Sequence, residues 1–292
     1  MLTIEDLLPE ADFAVPSAEA FDATLPKNHR RYRYFEKKNR VERFVGIGLL
    51  IPALPVIAAC WVAVRMTSKG PGFFRQARVG LGGREFQVLK LRTMRIDAEA
   101  NGPQWSVKGD PRITRLGRIF RALHLDELPQ LINVARGEMV LVGPRPERPE
   151  FVELLTEEIP GYRRRLIVKP GITGLSQINL PPDSDLRSVE RKQILDLHHI
   201  DHAQAWFDTR MVLLTALRIL CISNDHLTRL MGLDRTHLLA EFPVEEGERR
   251  SVTLQELLAA LRNRKEWQAE HGDEPWDPIR VDAAEPIPRA PR

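Results

Sequence analysis

The chain has 292 residues, of which 43% are hydrophobic, enough to build one sizeable domain or two small ones. Its formal net charge of +3 is too mild for a dedicated nucleic-acid-binding protein, although it allows a local basic patch that faces phosphates or anionic lipid. Its two cysteines, Cys60 and Cys221, indicate neither a disulfide scaffold nor a thiolate metal site.

The amino-terminal segment does not have the pattern of a secretory signal, because it is acidic where the first region of a signal is basic. A cluster of arginines and lysines follows it, ahead of the first apolar run. We therefore interpret residues 1–37 as a loosely ordered tail with a basic end.

Residues 44–64, FVGIGLLIPALPVIAACWVAV, carry no charge and are long enough for one bilayer-crossing helix. Pro52 and Pro55 lie in the middle, where each removes a backbone donor, so we expect a bend or break there. Basic residues flank the run on both sides, which the positive-inside rule interprets as two cytoplasmic ends. A re-entrant, kinked membrane helix over residues 38–66 fits these signals better than a simple span.

The segment after this helix predicts alternating strands and short helices. GPGFFRQARVGLGGREFQVLKLRTM predicts a β-hairpin with its turn at Gly82 and Gly83. Asp110 and Pro111 predict the start of a helix that carries an apolar stripe and arginines at every third position. A further short helix is expected to end near Gly137, and VLVGPRPE predicts a strand that leads into a stiff proline turn.

Two helices are expected to close the compact domain, which we place at residues 67–221. The second helix, from Phe207 to Cys221, has a broad apolar face that suits either the core or the membrane surface. Residues 222–292 form an extension of unknown role, with an amphipathic helix opened by Thr253 and a Pro-rich, partly disordered end. The fold class is therefore a mixed, mostly helical α/β protein with interfacial amphipathic helices.

Two adjacent acids are the first candidates for chemistry. Asp126 and Glu127 stand just before Pro129 in HLDELPQLINV. Proline suits the first turn of a helix, so both acids lie at a helix N-terminus, whose partial positive charge favours an ionised Asp126 and attracts phosphate. Glu127 is a natural ligand for Mg²⁺, which binds carboxylate and substrate phosphate oxygens together. A simple helix cap explains the same pair without catalysis.

Basic residues elsewhere favour the catalytic interpretation. Lys90 and Arg92 stand two apart on the predicted strand, as an anion clamp requires. Arg145 lies between two prolines that fix its backbone, and Arg121 precedes Asp126 by five residues. Each alone is compatible with a surface charge. Together with the acids and the membrane segment they predict a site at the bilayer surface for a pyrophosphate substrate.

A histidine cluster offers a competing interpretation. His198 and His202 have the i, i+4 spacing of a zinc site, but the sequence contains no third-ligand motif, so a metal there is poorly supported. Asp196 beside them is a weak candidate for the phosphate and metal pocket.

Three long motifs in order resemble the bacterial sugar transferase family, the monotopic polyprenyl-phosphate phosphoglycosyl transferases in their minimal form. They are FFRQARVGLGGREFQVLKLRTM, GDPRITRLGRIFRALHLDELPQLINVARGEMVLVGPRPE and KPGITGLSQIN, and the likeness covers residues 38–221. The resemblance implies that Asp126 attacks a UDP-sugar, displaces UMP and becomes a phosphosugar ester that polyprenyl phosphate then attacks. It also implies that Glu127 binds Mg²⁺. The family's basic positions around the phosphates match Lys90, Arg92, Arg121 and Arg145.

Departures from the family pattern are local. Leu54 stands before Pro55 where serine is frequent in the family, which removes a hydroxyl that could cap freed backbone in the bend, and Pro52 adds a second helix breaker. His124 stands where the family commonly has serine or threonine, and His198 and His199 stand where it commonly has tyrosine. We expect these changes to affect sugar preference more than activity.

The resemblance implies an enzyme on the cytoplasmic face of the bacterial inner membrane. It would transfer a phosphosugar to undecaprenyl phosphate and initiate surface polysaccharide or glycoconjugate synthesis, with no nucleic-acid partner. Neither the sugar nor the oligomeric state follows from the sequence. Two alternatives stay open at this point: a membrane-anchored adaptor without catalysis, and a Mg²⁺-dependent nucleotide-sugar hydrolase.

Overall fold

The computed structural model describes residues 27–100, 109–183, 185–219 and 225–241. The predictions made for the first 26 residues, for Cys221 and for the helix opened by Thr253 lie outside these ranges. The described part is mostly helical with two small two-stranded sheets, as the sequence predicts.

A long helix, α1 (Tyr32–Thr67), begins six residues earlier than the predicted membrane segment. The reason is that Phe35, which the sequence analysis assigns to the tail, is buried against Val168, Ile200 and Ala203 of the domain. By length and hydropathy α1 could cross a membrane.

One face of α1 packs against the domain along much of its length. The face recurs at alternating spacings of four and three residues, which is the periodicity of one helix side. Its members are buried or partly buried and comprise Gly46, Leu50, Ala53, Ile57, Cys60 and Val64. The opposite face is apolar and exposed, with Phe44 73% and Ile51 67% accessible. Contact with the domain on one side and exposed apolar surface on the other is the arrangement of a helix that lies at a lipid boundary.

The two prolines do not interrupt α1. Pro52 and Pro55 both lie on its exposed face, and the helix continues on either side of them to Thr67. The helix is therefore not broken at the prolines, because the packed stripe holds both halves against the same domain. A bend at this point stays a prediction. The re-entrant path through lipid stays a prediction.

The start of α1 is fastened to the domain by buried charges. Lys38 pairs with Glu42 one turn later and with Asp208 of a distant helix. Oε2 of Glu42 accepts hydrogen bonds from the backbone N–H groups of Leu141, at 2.6 Å, and Val142, at 3.3 Å. Because these groups are buried and partnered, the contact fixes where α1 meets the strand that contains Leu141 and Val142.

The predicted hairpin is confirmed. Strands β1 (Phe73–Val79) and β2 (Glu85–Leu91) are antiparallel, in a register that pairs Phe73 with Leu91. Gly82 and Gly83 form the turn with φ of 66° and 81°, a backbone conformation that glycine adopts at little cost.

The acid pair lies between two short helices. Helix α2 (Arg115–Ala122) starts later than predicted, because Asp110 instead binds the guanidinium of Arg112 and Thr114 caps the helix by accepting the N–H of Gly117 at 2.9 Å. A 3₁₀ turn (Leu125–Glu127) then leads into α3 (Gln130–Arg136).

Two parallel strands lie beside α3. They are β3 (Val140–Val142) and β4 (Gly171–Thr173). Between them run α4 (Pro149–Glu158) and a 3₁₀ segment (Tyr162–Ile167), and after them α5 (Leu175–Asn179).

Four helices complete the described part: α6 (Leu186–His202), α7 (Ala205–Ile219), α8 (Asp225–Leu230) and α9 (Leu238–Glu241). The apolar face of α7 lies in the main core, where Phe207, Met211 and Leu214 are almost fully buried. Of the two expectations for this helix, core packing is therefore the one that the structure supports.

Candidate active site

Glu127 is the centre of a compact charged site. Its Oε1 accepts hydrogen bonds from Nζ of Lys90 at 2.6 Å and from Nη2 of Arg145 at 2.8 Å. These partners come from β2 and from the loop after β3, so the fold brings together three residues that the sequence analysis selected separately. Burial alone would raise the pKa of Glu127, but the two cations hold it well below its usual range.

Asp126 lies beside Glu127 and its two cations, and its side chain is buried, with 7% of the residue exposed. Burial, followed by the negative charge of Glu127, raises its pKa above the usual value, although Lys90 and Arg121 oppose the shift. The helix-dipole argument in the sequence analysis favoured the opposite direction, and desolvation outweighs it. His124, two residues earlier, has a left-handed backbone with φ of 53°, which makes the tight turn that presents Asp126.

Arg121 faces the same site from the end of α2. Its Nε donates to Oγ1 of Thr93 at 2.9 Å, which orients the guanidinium. Burial lowers its pKa, and the charge of Asp126 opposes that shift. Lys90, Arg121 and Arg145 therefore all lie close enough to the acid pair to influence its charge. Their role at the substrate phosphates stays a prediction.

Arg92 does not share the partner of Lys90. Its Nη2 donates to the backbone oxygen of Ser68 at 3.2 Å and to the Ser68 hydroxyl at 2.6 Å. Although Lys90 and Arg92 stand two apart in sequence, the structure gives them different partners, one at the acid pair and the other at the end of α1.

Asp196 is in a separate buried cluster. One of its oxygens accepts two hydrogen bonds from Arg165, at 3.1 and 2.6 Å, and the other accepts the hydroxyl of Ser176 at 2.7 Å. The carboxylate is 1% exposed in this cluster. Arg165 also donates to the backbone oxygen of Arg145 at 3.1 Å, so Asp196 is connected to the acid pair only through other residues.

Two positioning residues were missed by the sequence analysis. One is Arg165, which fixes the backbone of Arg145. The other is the buried Asn133 on α3, whose Oδ1 accepts the N–H of Leu89 while its Nδ2 donates to the oxygen of Gln87. These bonds attach β2 to α3 and so set the distance between Lys90 and the acid pair. No local signal identifies this role of Asn133, since Leu89 and Gln87 lie more than forty residues away in the chain.

A divalent ion needs several oxygen or nitrogen donors around one point. In the described ranges no cluster of three or more His, Cys, Asp or Glu side chains could hold a metal by itself. Glu127 nevertheless fits Mg²⁺, because this ion typically takes one or two carboxylates and completes its shell with water and substrate phosphate. His198 and His202 instead stack on each other with ring centroids 4.1 Å apart.

Comparison with known proteins gives a consistent result. The model of the family described as bacterial sugar transferase matches residues 33–221. A Bacillus subtilis relative, a putative undecaprenyl-phosphate N-acetylgalactosaminyl 1-phosphate transferase, is 44% identical over 53% of this chain and 84% of its own length. A Caulobacter vibrioides UDP-glucose:undecaprenyl-phosphate glucose-1-phosphate transferase is 40% identical over 65% of this chain and 72% of its own.

A longer relative bearing the same name, from Xanthomonas campestris, is 41% identical over 61% of this chain and 38% of its own length. The matched region therefore spans most of the length of the two shorter relatives and well under half of the length of the Xanthomonas relative.

Proposed function

The chain belongs to the bacterial sugar transferase family and is a phosphoglycosyl transferase enzyme, and from this premise we propose the reaction that it performs. It transfers a sugar 1-phosphate from a UDP-sugar to undecaprenyl phosphate and releases UMP. The observation that carries this proposal is that the carboxylate of Glu127 binds the cations of Lys90 and Arg145, with Asp126 beside it.

Asp126 is the proposed nucleophile. One of its carboxylate oxygens attacks the sugar-bearing phosphorus of the donor, a new O–P bond forms, and the bond to the bridging oxygen breaks so that UMP leaves with the electron pair. An oxygen of undecaprenyl phosphate then attacks the same phosphorus, the carboxylate leaves, and Asp126 is regenerated. Splitting the transfer into two displacements lets a water-soluble donor and a lipid acceptor use one site in turn.

The surrounding cations supply electrostatic stabilisation in this proposal. Lys90, Arg121 and Arg145 approach the acid pair from three elements, so negative charge that develops on the transferred phosphoryl group meets positive groups that the fold already holds in place. Glu127 would hold Mg²⁺, which when bound would screen the repulsion between the Asp126 carboxylate and the phosphate. The low pKa of Glu127 keeps this ligand ionised.

Membrane attachment completes the proposal. The exposed apolar face of α1 enters the cytoplasmic leaflet, and the domain that packs on its other face stays in the cytoplasm. Such a position brings the acid pair to the height at which a lipid phosphate group lies. The product would be the first lipid-linked intermediate of a surface polysaccharide or glycoconjugate.

The test is a UMP-release assay with purified full-length protein, Mg²⁺, a panel of UDP-sugars and undecaprenyl phosphate. Without lipid we expect no more than one equivalent of UMP per enzyme, and with lipid we expect sustained UMP release. Asp126→Asn should lower the rate at least about a thousandfold. Glu158→Gln, an exposed acid at the end of α4, is the matched control and retains the wild-type rate.

Two outcomes would contradict the proposal. Sustained UMP formation without lipid would indicate a hydrolase, and an active Asp126→Asn variant would remove the covalent step. Mass spectrometry of enzyme trapped with donor alone should find a phosphosugar adduct on Asp126.

A further inference from the structure

A second basic site lies where α1 ends, away from the acid pair. An open cavity of about 330 Å³ lies between the residues that follow α1 and those that follow β2. It is lined by the basic side chains of Lys69, Arg92 and Arg95, by Ser68 and Thr114, and by Asp97 and Ile96. Three cations thus face one carboxylate, and that carboxylate is exposed and lies 3.6 Å from Arg95.

Arg92 is the unusual member of this lining. It is 93% buried, yet within the part of the chain that the structure describes, its Nε and Nη1 have no hydrogen-bond partner. Only Nη2 is used, in its bonds to Ser68. A buried guanidinium with two unsatisfied donors costs free energy, and such a group commonly marks the place of a bound ion.

Among the residues that the structure describes, no carboxylate forms an ion pair with this guanidinium. Burial, followed by the positive charge of Arg65 near the end of α1, lowers the pKa of Arg92. By contrast Lys90, two residues earlier, has a direct partner in Glu127. The fold therefore maintains an uncompensated positive charge beside a cavity, and an anion is the partner that would balance it.

The surroundings of the cavity select the kind of anion. Ile96 in its lining is 66% exposed, and Met66 in the last turn of α1 is 81% exposed. A basic pocket with an apolar rim, at the end of a helix that presents apolar side chains over its whole outer face, has the chemistry of the boundary between lipid headgroups and acyl chains. A freely diffusing anion would gain nothing from that rim.

We propose that the cavity at Arg92 binds the phosphate group of a membrane lipid, with the guanidinium of Arg92 as its main donor and Lys69 and Arg95 at its mouth. The site is distinct from the acid pair and does not depend on the chemistry proposed for Asp126. Its lipid can be a phospholipid or a prenyl phosphate, since both present the same phosphate oxygens. A prenyl phosphate here would be the acceptor of the proposed function, so that assignment alone rests on it.

Binding is measured on the full-length chain in neutral detergent, without UDP-sugar, so that catalysis has no influence on the result. The thermal unfolding midpoint is followed during titration with short-chain phosphatidic acid, farnesyl phosphate, short-chain phosphatidylcholine or inorganic phosphate. We expect saturable stabilisation by phosphatidic acid, by farnesyl phosphate or by both, and a much weaker effect of inorganic phosphate and of phosphatidylcholine. Whichever of phosphatidic acid and farnesyl phosphate binds more tightly identifies the class of lipid that supplies the phosphate.

Variants locate the effect. Arg92→Gln should weaken lipid binding about tenfold or more, because it removes a charged donor. Arg118→Gln, an exposed arginine on α2, is the matched control and should stay within about twofold of wild type. If Arg92→Gln does not fold, the exposed double variant Lys69→Gln/Arg95→Gln replaces it and should also weaken binding.

Wild-type affinity in Arg92→Gln, or in the double variant if it is the one used, would overturn the proposal. Equal losses in Arg92→Gln and Arg118→Gln would mean diffuse attraction between charges and would overturn it too. Inorganic phosphate that binds as tightly as the lipids would overturn the assignment to a membrane lipid.

Discussion

Asp126 and Glu127 are adjacent in sequence, yet their carboxyl groups have opposite pKa shifts. The difference comes from partners that are distant in the chain. Glu127 binds Lys90, 37 residues earlier, and Arg145, 18 residues later, whereas burial dominates at Asp126. The acid pair was predictable from the residue types and from Pro129, but the direction of each shift depends on tertiary contacts that no local pattern encodes.

His198 makes the stability of the fold depend on pH. Burial, together with nearby His202, Arg235, His199 and His237, lowers its pKa from 6.5 to about 3. Above pH 6.5 the residue is neutral in both states and contributes no pH dependence. Between pH 6.5 and about 3 the unfolded chain takes up a proton that the folded chain excludes, so stability falls as the pH falls.

We expect His198→Gln to flatten this part of the pH profile, because glutamine does not titrate. The midpoint of denaturant unfolding between pH 4 and pH 7.5 measures it, and the exposed His226 provides the control variant His226→Gln. Parallel profiles for wild type and His198→Gln would contradict the prediction.

The buried ion pair of Arg165 and Asp196 stabilises the fold and holds the backbone of Arg145 in position. Asp196→Asn should lower the free energy of unfolding by about 3–5 kcal/mol, because it leaves a buried guanidinium without its counter-charge. Arg165→Met/Asp196→Leu should recover a large part of that loss, since it removes both charges. Chemical denaturation of the three proteins measures the effect, and a loss below about 1 kcal/mol in Asp196→Asn would show that the pair is not coupled as the structure implies.

At the scale of elements, the crossing of α1 and α3 depends on one glycine. A Cβ added at Gly46 would lie 2.5 Å from Cγ1 of the buried Val134, whereas one added at Gly48 would have nothing within 4 Å. Gly46→Ala should therefore destabilise the protein by about 1–3 kcal/mol through overpacking. Gly48→Ala is the matched control and should be neutral or gain up to about 1 kcal/mol from helix propensity.

Thermal unfolding in detergent compares the two glycine variants. Equal midpoints would mean that α1 does not pack on α3 in solution. A lower midpoint for Gly48→Ala than for Gly46→Ala would reverse the assignment of the two helix faces.

Elements with local signals were predictable, and those that depend on distant contacts were not. The hairpin follows from its alternating pattern and its two glycines, and α3 from Pro129 and Gly137. The start of α2 was predicted too early, at Asp110 and Pro111. The carboxylate of Asp110 binds Arg112 and does not cap the helix, which Thr114 caps instead. The sequence predicted a bend or break at Pro52 and Pro55, and the helix is unbroken there because both halves of α1 rest on one domain, which the sequence does not reveal.

At the scale of the whole molecule, contacts at both ends of α1 predict its topology. Lys38 near its start pairs with Asp208, and Ser68 just after its end binds Arg92, so both ends lie against one domain. We therefore expect residues 37 and 69 to be on the same, cytoplasmic side. Cysteines placed there in a background without Cys60 and Cys221 should react with an impermeant maleimide only after the cells are permeabilised.

Labelling of just one of the two positions in intact cells would contradict this prediction and would indicate that α1 crosses the bilayer. Labelling of both in permeabilised cells is the control for their accessibility.

The contacts of Glu42 have a consequence for protein engineering. Deleting the residues before position 68 to make a water-soluble enzyme would remove more than an attachment to lipid. The amides of Leu141 and Val142 would lose their acceptor, Asp208 would lose the ammonium of Lys38, and Val134 would be exposed to solvent. A trimmed protein of this kind would need replacement side chains at those positions before its folding or its activity could be compared with that of the intact chain.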